Sequence, residues 1–468
     1  MNQSPDTSKK ALNRGWRRTQ EQASLPESHR TIPIPVTASF LRKFLAFSGP
    51  GYLIAVGYMD PGNWATDLAG GAQFGYTLLS VIMISNLMAI LLQHLSIKLG
   101  IATGRDLAQS CRDHYSPPTV WFLWILCEIA VVACDLAEVI GSAIALQLLF
   151  GIPLLWGCLI TAGDVLAVLY LQNRGFRYIE ALVIVLIATI AGCFAAELIF
   201  SRPGYTAVAL GCIPSPQIVT NPNMLYVSIG IIGATVMPHN LYLHSSIVQT
   251  RIYEQNSGGK REAIKFATID STVALMFALF INGAILVLAA SVFHWSGHQN
   301  VAEIQDAYKL LSPMLGTGVA SILFAVALLA SGQNSTLTGT LAGQIIMEGF
   351  INIRLRPWLR RLITRALAII PAVCVIGFFG ESRSTELLVG SQVVLSMQLG
   401  FAIWPLMRFT GERAKMGEFT NPVWIRILGW SVAAIIIVLN LKLLLDTFVP
   451  AHWLHLIYGH LGLPVASS

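Results

Sequence analysis

Apolar and polar positions alternate along this chain on the scale of whole helices. Eleven apolar runs stand out, near 45–73, 77–98, 120–147, 153–172, 179–199, 224–249, 267–293, 315–346, 363–379, 386–407 and 424–447. Each is close to the roughly 20 residues that a helix needs to cross hydrocarbon. No Asp, Glu, Lys or Arg occurs between Asp67 and Lys98, between Arg202 and Arg251, or between Lys309 and Glu348. The pattern predicts an all-α integral membrane protein with eleven transmembrane helices. Lys and Arg in the connections set its orientation, because they are retained on the cytoplasmic side. With the N-terminus inside, 26 of them fall in cytoplasmic segments and three (Arg202, Lys309, Arg383) outside, with Lys442 in the last span. Residues 1–43 are polar and basic, lack the apolar core of a cleavable signal, and are expected to form a cytoplasmic tail, disordered up to about Pro35. The last tail is then external, and the cell membrane is the expected location.

Two runs are interrupted by proline among polar neighbours. The first holds Asp60-Pro61-Gly62-Asn63 and the sixth Met237-Pro238-His239-Asn240. Five spans followed by five more, broken at matching places, predict an inverted repeat with a substrate site at the breaks. The units are then 44–200 and 201–410, with 411–468 as an eleventh helix and external tail. Proline disfavours helix at the residue before it, and Gly62 is expected to ease unwinding further. Unwound backbone at membrane depth must line a cavity or be buried in protein, so the carbonyls near Gly57 and Ala234 become candidate cation ligands at the negative ends of half-helices. Two unrelated proline kinks are the bland alternative, but matched kinks with an aspartate beside one disfavour it. Asp60 lies near the midplane, where a carboxylate is costly and usually functional. Asn63 offers an amide oxygen. Met237 offers a thioether, which alone would read as core filler but at the break favours a transition metal over magnesium or calcium.

Composition supports lipid as the solvent: 54% of residues are hydrophobic, only 12% are charged, and mean hydropathy is +0.64. Soluble domains carry about 25% charge. The formal charge of +6 is dispersed between spans, so no nucleic-acid partner is implied, and no obligatory protein partner is evident. The seven cysteines form no C-x-x-C pair, arguing against a disulfide framework or zinc knuckle. Glu128, Asp135 and Glu138 fall on one face of the third span, about 20° and then about 60° apart. Three carboxylates there carry protons, line an aqueous route, or pair statically with arginines. His239 is either a proton relay or a helix–helix hydrogen-bonding group. Glu197 and Glu348 fall near span ends and read as interfacial. Asn86, Gln93 and His94 read as helix–helix contacts, and Asp164 has no assigned role.

The stretches Gly57-Tyr58-Met59-Asp60-Pro61-Gly62-Asn63 and Ala234-Thr235-Val236-Met237-Pro238-His239-Asn240 resemble the two signature motifs of the Nramp family of divalent metal–proton symporters. Gly332 to Gln344, running on to Met347-Glu348-Gly349-Phe350, is similar to that family's glycine-rich transport motif. The resemblance spans roughly 45–447. It implies a LeuT-like 5+5 fold that imports Mn2+, and also Fe2+ and Cd2+, with protons, the metal being substrate and no cofactor being required. It carries the metal site onto Asp60, Asn63, Met237 and the main-chain oxygens of Gly57 and Ala234, with Gln392 joining in some states. It carries the proton route onto Asp135 and Glu138, with Glu128 and His239 nearby and the ninth-span arginines among Arg360, Arg361 and Arg365. Gly57 stands where alanine is usual, which is expected to loosen the first break, and Asn334 where serine is common. Magnesium-transporting relatives lack the methionine.

Three other classes compete with this reading. An intramembrane metalloenzyme would want H-E-x-x-H or a similar set, and no histidine here is followed by glutamate; the chain is not expected to be an enzyme. A transporter of the same fold for amino acids or another sodium-coupled solute has no use for Asp60 or a thioether. A metal sensor would bind without flux.

Overall fold

Proline starts many of the helices, because its missing N–H costs nothing in the first helical turn. The computed structural model describes residues 15–18, 23–35, 39–163, 176–297, 303–353, 356–379 and 384–448. Its principal helices are α1 (Phe40–Phe47), α2 (Pro50–Gly57), α3 (Pro61–Phe74), α4 (Leu79–Thr103), α5 (Leu107–His114), α6 (Pro117–Phe150), α7 (Leu154–Ile160) and α8 (Phe176–Ser201). They continue with α9 (Pro222–Thr235), α10 (Pro238–Ile247), α11 (Ser257–Ala289), α12 (Ile304–Leu315), α13 (Ala320–Ile351), α14 (Pro357–Phe379), α15 (Ser384–Gly411) and α16 (Val423–Phe448). Gly104 and Gly151 end α4 and α6 in the left-handed conformation, the usual glycine stop. A short parallel pair joins β1 (Ile32–Pro33) to β2 (Arg251–Ile252).

Helix occurs at each predicted apolar run. Among the described residues, eight helical segments are long and apolar enough to cross a membrane. The first predicted span is divided into α2 and α3, the fourth is seen as α7 with 164–175 outside the described residues, and the ninth is α14. Asp164 therefore lies outside the described residues. Among the eight long apolar segments the broken pair α9–α10 is the most enclosed, with 94% of its apolar stretch buried against 33% for α8 and for α16. Its neighbours shield it from lipid, which allows its backbone to depart from helix. α13 packs along α6 and α8, α11 along α2, α3 and α4, and α15 along α9 and α6.

One end of the bundle is tied by buried ion pairs. Arg251 donates to Glu180 Oε1 at 2.7 Å and to the Ser48 carbonyl at 2.7 Å. Asp270 accepts from Gly51 N at 2.7 Å and Gly49 N at 3.3 Å, fixing the start of α2. Glu197 and Glu348 lie near helix ends, and both side chains turn into the protein: they are 0% and 5% exposed. Distance from a span end says nothing about which way a side chain points. The Glu348 carboxylate accepts from Gln344 Nε2 and from Leu25 N.

Candidate metal site

The two breaks meet. At the first, Asp60 caps α3: its Oδ1 accepts from Asn63 N at 2.8 Å, with Pro61 in the first turn, a strong N-terminal signal. At the second, Met237 precedes Pro238 and makes no capping bond. Asp60, Asn63, Ala234 and Met237 are all buried.

The Asn63 amide nitrogen marks where the donors converge. It donates to Asp60 Oδ1 at 2.7 Å, to the Ala234 carbonyl at 3.0 Å and to the Gly57 carbonyl at 3.3 Å. Three oxygens from two broken helices thus point at one partly positive group. Among the described residues Asp60 Oδ2 accepts no hydrogen bond, and a buried carboxylate oxygen left so is costly. Turning the Asn63 amide would exchange its NH2 for Oδ1 and add a fourth oxygen. Asn282 on α11 braces this residue, donating to Asn63 Oδ1 at 3.3 Å and to the Tyr58 carbonyl at 2.8 Å.

Met237 completes the cluster. Its sulfur lies 3.2 Å from where a Cβ on Gly57 would stand, and Asn240 Nδ2 lies 3.7 Å from the same sulfur. A side chain on Gly57 would collide with Asn240. Gly57 ends α2 without a positive φ, and its missing Cβ provides the space that Asn240 occupies. Gly62 likewise lies inside α3 and makes room for Gln392 of α15, a correction to its expected part in unwinding. Gln392 is buried with Oε1 unpartnered.

The third-span acids lie beside this cluster. Cys134, Met237 and Leu395 pack together, and Cys134 Sγ is 3.7 Å from Glu138 Oε1. Glu138 accepts from Ser335 Oγ at 2.6 Å and faces Arg365 Nη1 at 3.5 Å. Asp135 and Glu138 converge on Gly339, each 3.0 Å from where its Cβ would be. Arg365 also donates to Thr336 Oγ1 at 3.2 Å. Glu128 is half-buried two turns earlier on α6, and His239 is buried with Nδ1 unpartnered. The Arg360 and Arg361 side chains lie outside the described residues. Gln93 bridges Tyr58 OH at 2.8 Å and His244 Nδ1 at 2.9 Å, and His94 meets Thr268, so both join helices as expected.

Sequence reading missed Asn282 and Ser331 (which donates to the Met59 carbonyl), and gave no role to Asn240 and Ser335 although both lie in the quoted motifs. The available signal was a lone amide or hydroxyl within an uncharged run, which many helix–helix contacts share. Among the described residues no group of three or more His, Cys, Asp or Glu side chains stands at metal-binding spacing, so the candidate donors are one carboxylate, amides, carbonyls and a thioether.

Residues 51–446 match the family model described as natural resistance-associated macrophage protein-like, Nramp. The chain is 64% identical over 428 residues to a protein of Nostoc sp. named divalent metal cation transporter MntH, covering 92% of this chain and 97% of that one. A Bradyrhizobium diazoefficiens protein of the same name is 61% identical, covering 95% and 99%. A solved variant of the Eremococcus coleocola manganese transporter superposes with TM-score 0.84 at 42% identity, covering 94% and 95%. Mhp1, a nucleobase-cation-symport-1 family transporter, shares the fold alone: TM-score 0.58, 15% identity, covering 90% and 94%.

Proposed function

The chain belongs to the Nramp family and is a multi-pass membrane transporter of divalent metal cations; from that premise we propose that it imports manganese with protons through the Asp60–Met237 site. The observation that carries this reading is the set of three oxygens around Asn63 Nδ2, flanked by the Met237 sulfur. In the proposed loaded state Asp60, Asn63 Oδ1, Met237 and the Gly57 and Ala234 carbonyls hold the ion, and Gln392 closes over it. Asp60 supplies the charge. The carbonyls supply hard donors without adding charge, so the ion is held weakly enough to leave. Met237 favours manganese, iron(II) and cadmium over magnesium and calcium.

Asp135 and Glu138 carry the proton, with Arg365 biasing Glu138 and with Glu128, His239 and Arg361 along the route. A transferable proton needs a group that can both gain and lose it, and the paired carboxylates facing one arginine supply that. The eleven helices form a 5+5 inverted repeat plus one, with the N-terminus inside and the C-terminus outside. Alternating access moves the two repeats about the broken helices.

The amino-acid transporter reading fails on chemistry, because Asp60 would repel a substrate carboxylate. The test is manganese uptake into liposomes under an inward proton gradient. Uptake should rise with the gradient, resist excess calcium and magnesium, and vanish in Asp60→Ala.

A further inference from the structure

An apolar cavity of about 560 Å³ opens on the outside of the bundle, between α6, α15 and α16. Leu123, Met397, Gly400, Ile437 and Leu444 wall it, and its polar side chains among the described residues are Tyr115, Thr119 and Asn440. Asn440 turns away from it, donating through Nδ2 to the Ser396 carbonyl at 2.9 Å. Phe122, Phe401, Trp404 and Leu441 form the rim and are between 43% and 53% exposed. In a membrane protein, a rim this apolar and this exposed faces lipid.

The groove has the length of a lipid tail and ends in positive charge. From Met397 to Trp404 on α15, and from Ile437 to Leu444 on α16, is about 10 Å of helix. One leaflet's chains occupy roughly 15 Å. At one end Trp404 and Trp430 meet edge-on with ring centres 4.9 Å apart, an aromatic pair of the kind that marks a membrane interface. One turn further along α15 stands Arg408, its guanidinium 6.0 Å from the Tyr115 ring. Arg426 is exposed at the start of α16, its Cδ 3.6 Å from where a Cβ on Gly411 would stand. Glu412 pairs with both Arg408 and Lys415, and Glu418 with Arg261, so this end carries surplus positive charge.

We propose that the groove holds one acyl chain of an anionic phospholipid, with the phosphate at Arg408 and Arg426. Water is disfavoured along walls this apolar, and unfilled walls forfeit dispersion contacts, so a lipid chain is the filling that the surroundings supply. The guanidinium groups then choose among lipids, because a phosphate accepts paired hydrogen bonds from arginine. Each basic residue at a membrane surface strengthens the binding of anionic lipid by roughly fivefold. A second copy of this chain fits the groove less well: paired about a two-fold axis, it would set the same basic end against itself.

The test uses the full chain purified in detergent, with phosphatidylglycerol and phosphatidylcholine as probes at equal concentration. Native mass spectrometry counts the lipid retained, and thermal melting with each lipid reports binding independently. Wild type should retain phosphatidylglycerol over phosphatidylcholine by roughly tenfold or more, and phosphatidylglycerol should raise its melting temperature further. Arg408→Gln combined with Arg426→Gln should bring the two lipids within about twofold of each other. Leu441→Trp, which fills the groove from its exposed rim, should retain neither. Manganese binding, measured by calorimetry, should persist in every variant and so mark each as folded. Equal retention of the two lipids by wild type, or a preference that survives either change, overturns the site. A dimer that retains no lipid and that Leu441→Trp dissolves overturns the lipid and gives the groove to a second copy.

Discussion

Replacing Met237 separates ligation from packing. The side chain is fully buried against Cys134 and Leu395 and faces Gly57 across the site. Met237→Leu keeps nearly the same volume, so its cost in stability should stay below about 1.5 kcal/mol. Met237→Ala leaves a cavity, and truncating a buried methionine costs about 2–5 kcal/mol, though a water beside Asp60 can offset part of that. The sulfur's own contribution is a difference between ions. Magnesium demands near-ideal oxygen geometry and calcium six to eight oxygens, so neither gains from a thioether, whereas cadmium and manganese do. Loss of the sulfur should weaken cadmium by about 1–3 kcal/mol, roughly five- to 150-fold in affinity, and manganese by less. In Met237→Ala, where a water can replace the sulfur, calcium should begin to compete. The assay is uptake of each ion into liposomes at equal protein density, with thermal melting to report packing. If Met237→Leu melts like wild type and keeps its cadmium affinity, and Met237→Ala still excludes calcium, the thioether is core filler and selectivity arises elsewhere.

Glu138→Gln and Asp135→Asn should abolish stimulation of uptake by an inward proton gradient while manganese affinity, measured calorimetrically, stays within about threefold (under 1 kcal/mol); unchanged proton coupling in both returns these acids to a static network with Arg365. Gly62→Ala should push Gln392 out of its place against α3, costing about 1–3 kcal/mol by overpacking. Its melting temperature and its manganese uptake should both fall, and wild-type values for both would show that Gln392 is free to move. Ser335→Ala should remove the hydroxyl that donates to Glu138 and shift the pH dependence of uptake without altering manganese binding; an unshifted profile removes Ser335 from the proton route.

The breaks were legible because proline and an aspartate among apolar residues violate the rules of a lipid-buried helix, and that violation is what points to the candidate site. The positions of α4, α6, α8, α11, α13, α15 and α16 followed from apolar length alone. Space was not legible. Gly57 and Gly62 read as backbone flexibility, yet the fold uses them to admit Asn240 and Gln392. Nor was the orientation of Asn63: its identity suggested an oxygen ligand, while its amide hydrogens face the three oxygens. Glu197 and Glu348 lie near helix ends but turn inward, because burial depends on which helix packs on that face. The N-terminal arm, expected to be disordered up to about Pro35, instead packs on the bundle where it is described: Trp16 is buried against Phe409 and Leu25 N bonds Glu348, and an aromatic in a basic arm has no periodic context to signal that.

Asp60 bears most directly on the central claim. Asp60→Ala removes a buried carboxylate whose Oδ1 caps α3 and also accepts from Asn63 Nδ2; the lost cap costs about 1 kcal/mol and no buried charge is created, so the protein should remain folded. Isothermal titration of Mn2+ into the purified variant should give no heat of binding at concentrations that saturate wild type. Manganese binding to folded Asp60→Ala at wild-type affinity would contradict the account.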